Sequence, residues 1–240
     1  MQIGEHMIQT HSKAQQGGFT LVEIAIVLVI IGLLLGGILK GQELITSARV
    51  RNMADQNSSV QAAYYGFLDR YRAIPGDLPA AQVCTFLGVG CPATGPGGNG
   101  NSLILDATGV TAEAAAVWLH LARAGFLNGS YAGTGALAAP TVAPGNVYGQ
   151  ALVLSHSASY SGAGATNRLN LALGRQAPVK VYQELDTKLD DGLPLTGVLR
   201  AALATGAIYN PVAEGLTTCV ATGAWDIAND AQDCNGVFLY

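Results

Sequence analysis

Phe19 to Leu39 reads FTLVEIAIVLVIIGLLLGGIL, 21 residues in which Glu23 is the only charge. At ~1.5 Å per residue a helix of this length spans about 30 Å, the thickness of a bilayer's hydrocarbon core. The run exceeds the ~7–15 residues of a secretory h-region and no A-x-A site follows it, so it is expected to stay on the chain as a membrane anchor. The composition around it is equally skewed. Only 12% of the 240 residues are charged, 31 are Gly and 50% are hydrophobic, against roughly 25% charged and 7% Gly in soluble globular domains. So much apolar content excludes a disordered chain, and the glycines follow no G-X-Y period. A net charge of −4 gives no electrostatic case for specific nucleic-acid binding.

Glu23 is the anomaly in the span. A carboxylate in a membrane segment costs a few kcal/mol and marks, by default, a functional residue with a partner. Two readings stand: Glu23 is hydrated at the interface, or it meets an amine. Gly18-Phe19 supplies the second. A cut between them frees an amine at Phe19, at the i, i+4 offset from Glu23 where opposite charges meet on a helix. The same amine on a neighbouring copy would align two subunits in the lipid.

Gly18-Phe19-Thr20-Leu21-Val22-Glu23 followed by the long apolar run resembles the processing signal of type IV pilins and of the related type II secretion pseudopilins. The resemblance implies that a prepilin peptidase cuts after Gly18 and that the new N-terminal Phe19 is methylated. It also implies that Glu23 guides assembly by pairing with an adjacent subunit's N-terminus. The 18-residue leader is long and holds Lys13 as its one Lys or Arg. The partners implied are the membrane, the peptidase, an inner-membrane assembly platform, and the same or related pilins. The implied location is a single pass of the inner membrane with a periplasmic head, then a pilus or a periplasmic pseudopilus.

Beyond Leu39 the helical pattern continues and turns amphipathic: Leu44, Ala48, Arg51, Asp55, then Val60, Tyr64, Phe67 or Leu68, and Tyr71 recur at three- and four-residue steps. Pro75-Gly76-Asp77 ends it. The expected organisation is therefore a leader at 1–18, one long helix at 19–72 with 19–39 in the membrane, and a globular head at 73–240. Gly32/Gly36 and Gly37/Gly41 give small-xxx-small spacing suited to close helix contact. Ordinary glycine tolerance in a span, or a point of local unwinding at Gly36-Gly37, would leave the same trace.

The head holds all four cysteines, six Lys/Arg and eleven Asp/Glu. Thr111 to Ala124 reads as a helix capped by Thr111, with Ala115, Trp118, Leu119 and Ala122 on one face. A second helix starts at Pro178, carries Val181 or Tyr182, Leu185 and Leu189 on one side, and stops at Gly192 and Pro194. Val147–Ser155, Arg168–Leu173, Val198–Leu203, Ala207–Tyr209 and Val237–Tyr240 read as strands. A long helix, short helices and an antiparallel sheet make an α+β fold. Tyr71 to Asp77, Trp118 to Gly125 and Leu189 to Gly192 also resemble stretches of pilin-like proteins, less specifically than the N-terminus does.

Cys84 and Cys91, and Cys219 and Cys234, are the pairs closest in sequence. With the head outside the cytoplasm, disulfides are the natural reading; four cysteines allow three connectivities, and local pairing is expected. Neither C-x6-C nor C-x14-C is a zinc spacing. A 219–234 bridge near the C-terminus is also what the resemblance implies.

No catalytic constellation is visible, so no enzyme and no cofactor are expected. Outside the leader lie His120 and His156; His120 reads as a surface or half-buried helix residue rather than a base. Gly95-x-Gly97-x-x-Gly100 formally matches a dinucleotide fingerprint but has no strand before it or helix after it, so it reads as a flexible loop. Neither G-x-x-x-x-G-K-[ST] nor H-E-x-x-H occurs. Asp186, Asp190 and Asp191, and Asp226, Asp230 and Asp233, form acidic runs in which Ca²⁺ is conceivable, although neither has EF-hand spacing. The expected function is a structural subunit of a type IV pilus or similar filament. A type II secretion pseudopilin and a membrane-anchored binding module that does not polymerise are the alternatives.

Overall fold

In the computed structural model a single helix, α1, runs from Leu21 to Tyr71. The structure describes residues 18, 20–91, 95–104, 112–135, 137, 139–158, 166–201, 219–229, 232 and 234–240. Contacts divide the chain into two compact units, Met1–Ile45 and Thr46–Tyr240, and α1 contributes to both.

In the first unit every residue from Leu21 to Lys40 is exposed, because no other element of the single chain packs there. This is the only stretch among the described residues long and apolar enough to cross a membrane.

In the second unit α1 buries Val50, Met53, Val60, Ala63, Tyr64 and Phe67. This corrects the first half of the stripe read from the sequence. Leu44 is 63% exposed, and Ala48, Arg51 and Asp55 are also exposed. The core selects the neighbouring row because Val50 and Met53 offer more apolar surface than Ala48, Arg51 and Asp55. Both rows converge on Val60, Tyr64 and Phe67, where the expected stripe holds.

The fold is α+β. After α1 come α2 (Ala80–Leu87), α3 (Ala112–Arg123), β1 (Val153–Ser157), β2 (Arg168–Ala172), α4 (Val179–Leu189), β3 (Leu199–Ala201), a hairpin of β4 (Val220–Ala221) and β5 (Ala224–Trp225), and β6 (Gly236–Leu239). The main sheet has the order β1-β2-β6-β3 and every pairing in it is antiparallel. Strand β6 lies inside the sheet, with Leu171 and Leu199 as the partners of Phe238 on its two sides. The last residue is tied to α1: the Tyr240 hydroxyl donates to Asn57 Oδ1 at 2.5 Å. Burial pushes the Tyr64 phenol up to about 12 and raises that of Tyr240 as well, so both hydroxyls stay protonated in the core.

Helix α3 is buried on nearly all sides, with Trp118, Val117 and Leu121 fully enclosed; its expected cap, Thr111, lies outside the described residues. His120 is fully buried, not at the surface. It is tolerated there because both ring nitrogens are satisfied: Nδ1 accepts the Gly76 N–H at 2.8 Å and Nε2 lies 2.9 Å from the Pro96 carbonyl oxygen. His156 Nδ1 likewise accepts the Ile104 N–H at 2.8 Å.

These bonds hold the glycine-rich segment, which is strapped to the core rather than loose. Buried Asp77 accepts N–H bonds from Gly100 at 2.8 Å and Asn101 at 3.2 Å on Oδ1, and from Ser102 at 2.7 Å on Oδ2. Glu113 Oε1 accepts the Asn99 N–H at 3.2 Å. Gly98 is needed for this approach: a Cβ there would lie 2.5 Å from Asp77 Cα and 2.8 Å from Glu113 Oε1. The glycines follow from close backbone packing, with no phosphate cradle involved.

Strand β1 begins at Val153, later than the apolar run that starts at Val147. Asn146 Oδ1 accepts the N–H of Tyr148 at 2.8 Å and of Gln150 at 3.0 Å, an Asx-type turn that competes with extension. Leu189 is 44% exposed and is the last residue of α4, beyond the reach of the core that takes Val181, Tyr182 and Leu185. The 207–209 candidate strand lies outside the described residues. The sequence reading omitted α2 and the β4–β5 hairpin. In the latter, Thr222 and Gly223 both have positive φ, the two-residue turn geometry that matches strand twist.

Candidate functional site

Helix α1 begins with a reciprocal pair. Thr20 is the N-cap: its carbonyl accepts the Ile24 N–H at 3.3 Å. Glu23 Oε2 accepts both the Thr20 N–H at 2.8 Å and the Thr20 hydroxyl at 2.9 Å. The same hydroxyl oxygen accepts the Glu23 N–H at 3.3 Å. This is a capping box, in which a Thr and a Glu three residues on satisfy donors that the first helical turn leaves free. A negative side chain in the first turn is also favoured by the helix dipole. Only one carboxylate oxygen is committed; among the described residues Oε1 has no hydrogen-bond partner.

The box therefore holds Glu23 in one orientation with an acceptor to spare at the head of an apolar helix. The sequence reading attended to Glu23 and passed over Thr20, although T-x-x-E before an apolar run is itself the signature of such a box. Gly18 is exposed, with nothing within 4 Å of where a Cβ would stand. Phe19, assigned to cleavage and methylation, lies outside the described residues.

The remaining helix surface carries no other polar chemistry up to Lys40, which pairs with Glu43 at 2.7 Å. A Cβ at Gly32, Gly36, Gly37 or Gly41 would meet nothing within 4 Å in the single chain. Those rows of the helix are open to close approach by another helix.

In the head the cysteines form two bridges, Cys84–Cys91 and Cys219–Cys234. The first spans the end of α2 at Gly88, and the second ties the β4–β5 hairpin to the chain entering β6.

The carboxylates of Asp186, Asp190 and Asp191 lie within 4.8 Å of one another, and each is already engaged. Asp186, buried, accepts Trp225 Nε1–H at 2.7 Å and the Gly192 N–H at 3.3 Å. Asp190 accepts the N–H groups of Val198 and, at 2.9 Å, Leu199. Asp191 accepts the Leu193 N–H at 2.9 Å and the Thr196 hydroxyl at 2.5 Å. These hydrogen bonds close the turn between α4 and β3. Asp226, from the other acidic run, donates its N–H to Cys219 O at 2.9 Å; Asp230 and Asp233 lie outside the described residues.

Comparison with known protein families matches residues 13–39 to the prokaryotic N-terminal methylation motif. No curated protein and no solved structure matches the chain. The matched stretch includes Gly18, Thr20 and Glu23 and ends at Leu39, where the apolar run ends. Such a signal implies processing by prepilin peptidase and assembly into filaments, and suggests a structural subunit. With the exposed apolar helix it fits a membrane-anchored precursor. Residues 13–39 are thus a prepilin signal, the N-terminal methylation motif of type IV pilins and pseudopilins.

Proposed function

We propose that the chain, cut after Gly18 and methylated at Phe19, is a structural subunit of a type IV pilus or pilus-like filament. Before assembly it spans the inner membrane once with its head in the periplasm. The observation that carries this reading is the half-committed carboxylate of Glu23 at the head of a helix whose apolar stretch from Leu21 to Leu39 is exposed throughout. In lipid, apolar side chains gain little by associating, because hydrocarbon tails are as apolar as Leu. Helix packing therefore needs a polar contact to set register and small residues to allow approach. Glu23 Oε1 supplies the first, taking the amine of a neighbouring Phe19, and Gly32 to Gly41 supply the second.

Two measurements on one strain test it. Intact mass of the protein from its native host should give a chain starting at methylated Phe19. Glu23→Val should still insert in the membrane. It should also lower filament number at least about tenfold, because a hydrogen bond to a charged group is worth roughly 1.5–3 kcal/mol. An unprocessed chain, or normal filaments from Glu23→Val, refutes the proposal.

A further inference from the structure

The head unit has a polar groove beside α1. Asn52, Asp55, Gln56 and Ser59 line it at the spacing of one helix face, together with Asn128 and Tyr131. Leu127 and Leu152 add apolar surface to the wall. The cavity measures about 250 Å³, close to the lower end of small-molecule sites, about 300–1,000 Å³.

The lining selects the ligand's chemistry. Asp55 is the only charged side chain in it and no Lys, Arg or His is present, so phosphates, carboxylates and nucleic acids are disfavoured. What remains is a dense mixture of amide, hydroxyl and carboxylate groups. Among the described residues the side chains of Asn52, Asp55, Ser59 and Asn128 have no hydrogen-bond partner.

Gln56 goes further. Its Nε2 donates to Gly145 O at 3.0 Å, which fixes the amide's orientation, and its Oε1 is buried with no partner in the protein. A buried acceptor left unmet costs about 1–3 kcal/mol. Tyr131 supplies a platform. Its ring lies against Gly129, where φ is +137° and a Cβ would come within 2.7 Å of the phenol oxygen. Only glycine allows the ring to rest there.

We propose that this groove binds a saccharide. A sugar ring offers adjacent hydroxyls to Asp55 and to the amides of Asn52 and Asn128, and an apolar C–H face to Tyr131. A neutral polyol of this kind also suits a lining without cations. The groove lies wholly within Thr46–Tyr240, so the proposal stands apart from the filament reading.

The test uses the full mature chain in a detergent without a sugar head group. Saturation-transfer NMR is run with galactose, mannose and N-acetylglucosamine, each at about 10 mM, enough to fill a site of millimolar affinity. At least one sugar should receive saturation. Asp55→Ala and Tyr131→Ala should each weaken its binding about tenfold or more, the equivalent of ~1.4 kcal/mol. Ser58→Ala, whose hydroxyl donates to Ala54 O outside the groove, should leave binding unchanged. Asp55 is exposed, so an unshifted melting temperature for Asp55→Ala certifies the fold. Absence of transfer from all three sugars overturns the proposal. So does transfer that survives both substitutions, which places the sugar elsewhere on the chain.

Discussion

Replacing His120 with Ala should cost this chain about 3–5 kcal/mol, counting lost packing and stranded polar groups together. The imidazole joins the turn after α1 to the glycine-rich segment, accepting from Gly76 at 2.8 Å and lying 2.9 Å from Pro96 O. A carbonyl only accepts, so the ring is the neutral Nε2–H form. It also stacks on Phe67, with centroids 6.5 Å apart and planes 15° apart. Ala leaves one N–H and one C=O without partners, at about 1–3 kcal/mol each, and opens a cavity. At roughly 2–4 °C per kcal/mol for a chain of this size, Tm falls by roughly 6–20 °C.

The same contacts set a pH dependence. Burial holds the His120 imidazole below its ordinary value, with the Pro96 hydrogen bond opposing the shift. The unfolded residue titrates near ~6.5, so below that pH the unfolded chain takes up a proton the folded chain refuses. The stabilisation is complete above about 6.5 and is lost as pH falls toward the folded value, by at most about 1.36 kcal/mol per pH unit. His156 is also lowered, first by burial, and adds a slope of the same sign. Asp186 is raised by burial and acts oppositely, its contribution falling as pH rises from about 3.8. Comparing wild type with His120→Ala cancels both. Thermal unfolding of the two proteins between about pH 8 and about pH 5 should show the gap shrinking on acidification. A cost below about 1 kcal/mol at the higher pH, or a gap independent of pH, refutes the account.

The two disulfides should differ modestly. Removing Cys219 and Cys234 together opens a 15-residue separation and should cost about 3 kcal/mol, against about 2.5 kcal/mol for the 7-residue separation of Cys84 and Cys91; chemical denaturation of the Ser pairs measures both. Asp77→Ala withdraws the acceptor of three backbone N–H groups. Hydrogen exchange at Gly100, Asn101 and Ser102 should then quicken about 30-fold, the equivalent of roughly 2 kcal/mol, while α3 keeps its protection.

What could be read beforehand followed from local rules. The anchor announces itself because nothing but a membrane or a core takes an apolar run of that length with a single charge, and Pro178 and the Gly192 turn bracket α4 by backbone restriction alone. The errors came where tertiary contacts decide. Whether α1 buries the row of Ala48 or that of Val50 depends on what covers it, and periodicity fits either. His120 could not be placed inside without knowing that Gly76 N–H and Pro96 O would converge on its ring. Asp77 carries its role through segments more than twenty residues away, which no spacing reveals. At the functional end the reverse holds: the T-x-x-E box was legible at Thr20 and was masked by attention to the acid alone.

The placement of the sheet bears on how copies could join. An antiparallel sheet can extend by adding a strand from another chain, unless its edges are covered. Here the outward N–H groups of β3 are taken, Leu199 by Asp190 at 2.9 Å and Ala201 by Pro194 O at 2.8 Å. Just before β1, Leu152 donates to Pro144 O at 2.8 Å, and on β1 His156 donates to Ile104 O at 2.7 Å. The C-terminal strand, often the easiest to exchange, is held on both sides. The acidic cluster after α4 folds the 190–198 turn over the β3 edge. With these edge donors taken, strand addition at those positions is disfavoured, and among the described residues the largest exposed apolar surface is the run from Leu21 to Leu39. On the proposed filament reading association falls to α1, where direction and register would come from the few groups that are not hydrocarbon: Glu23 at its head, and the glycines that would let a second helix come close.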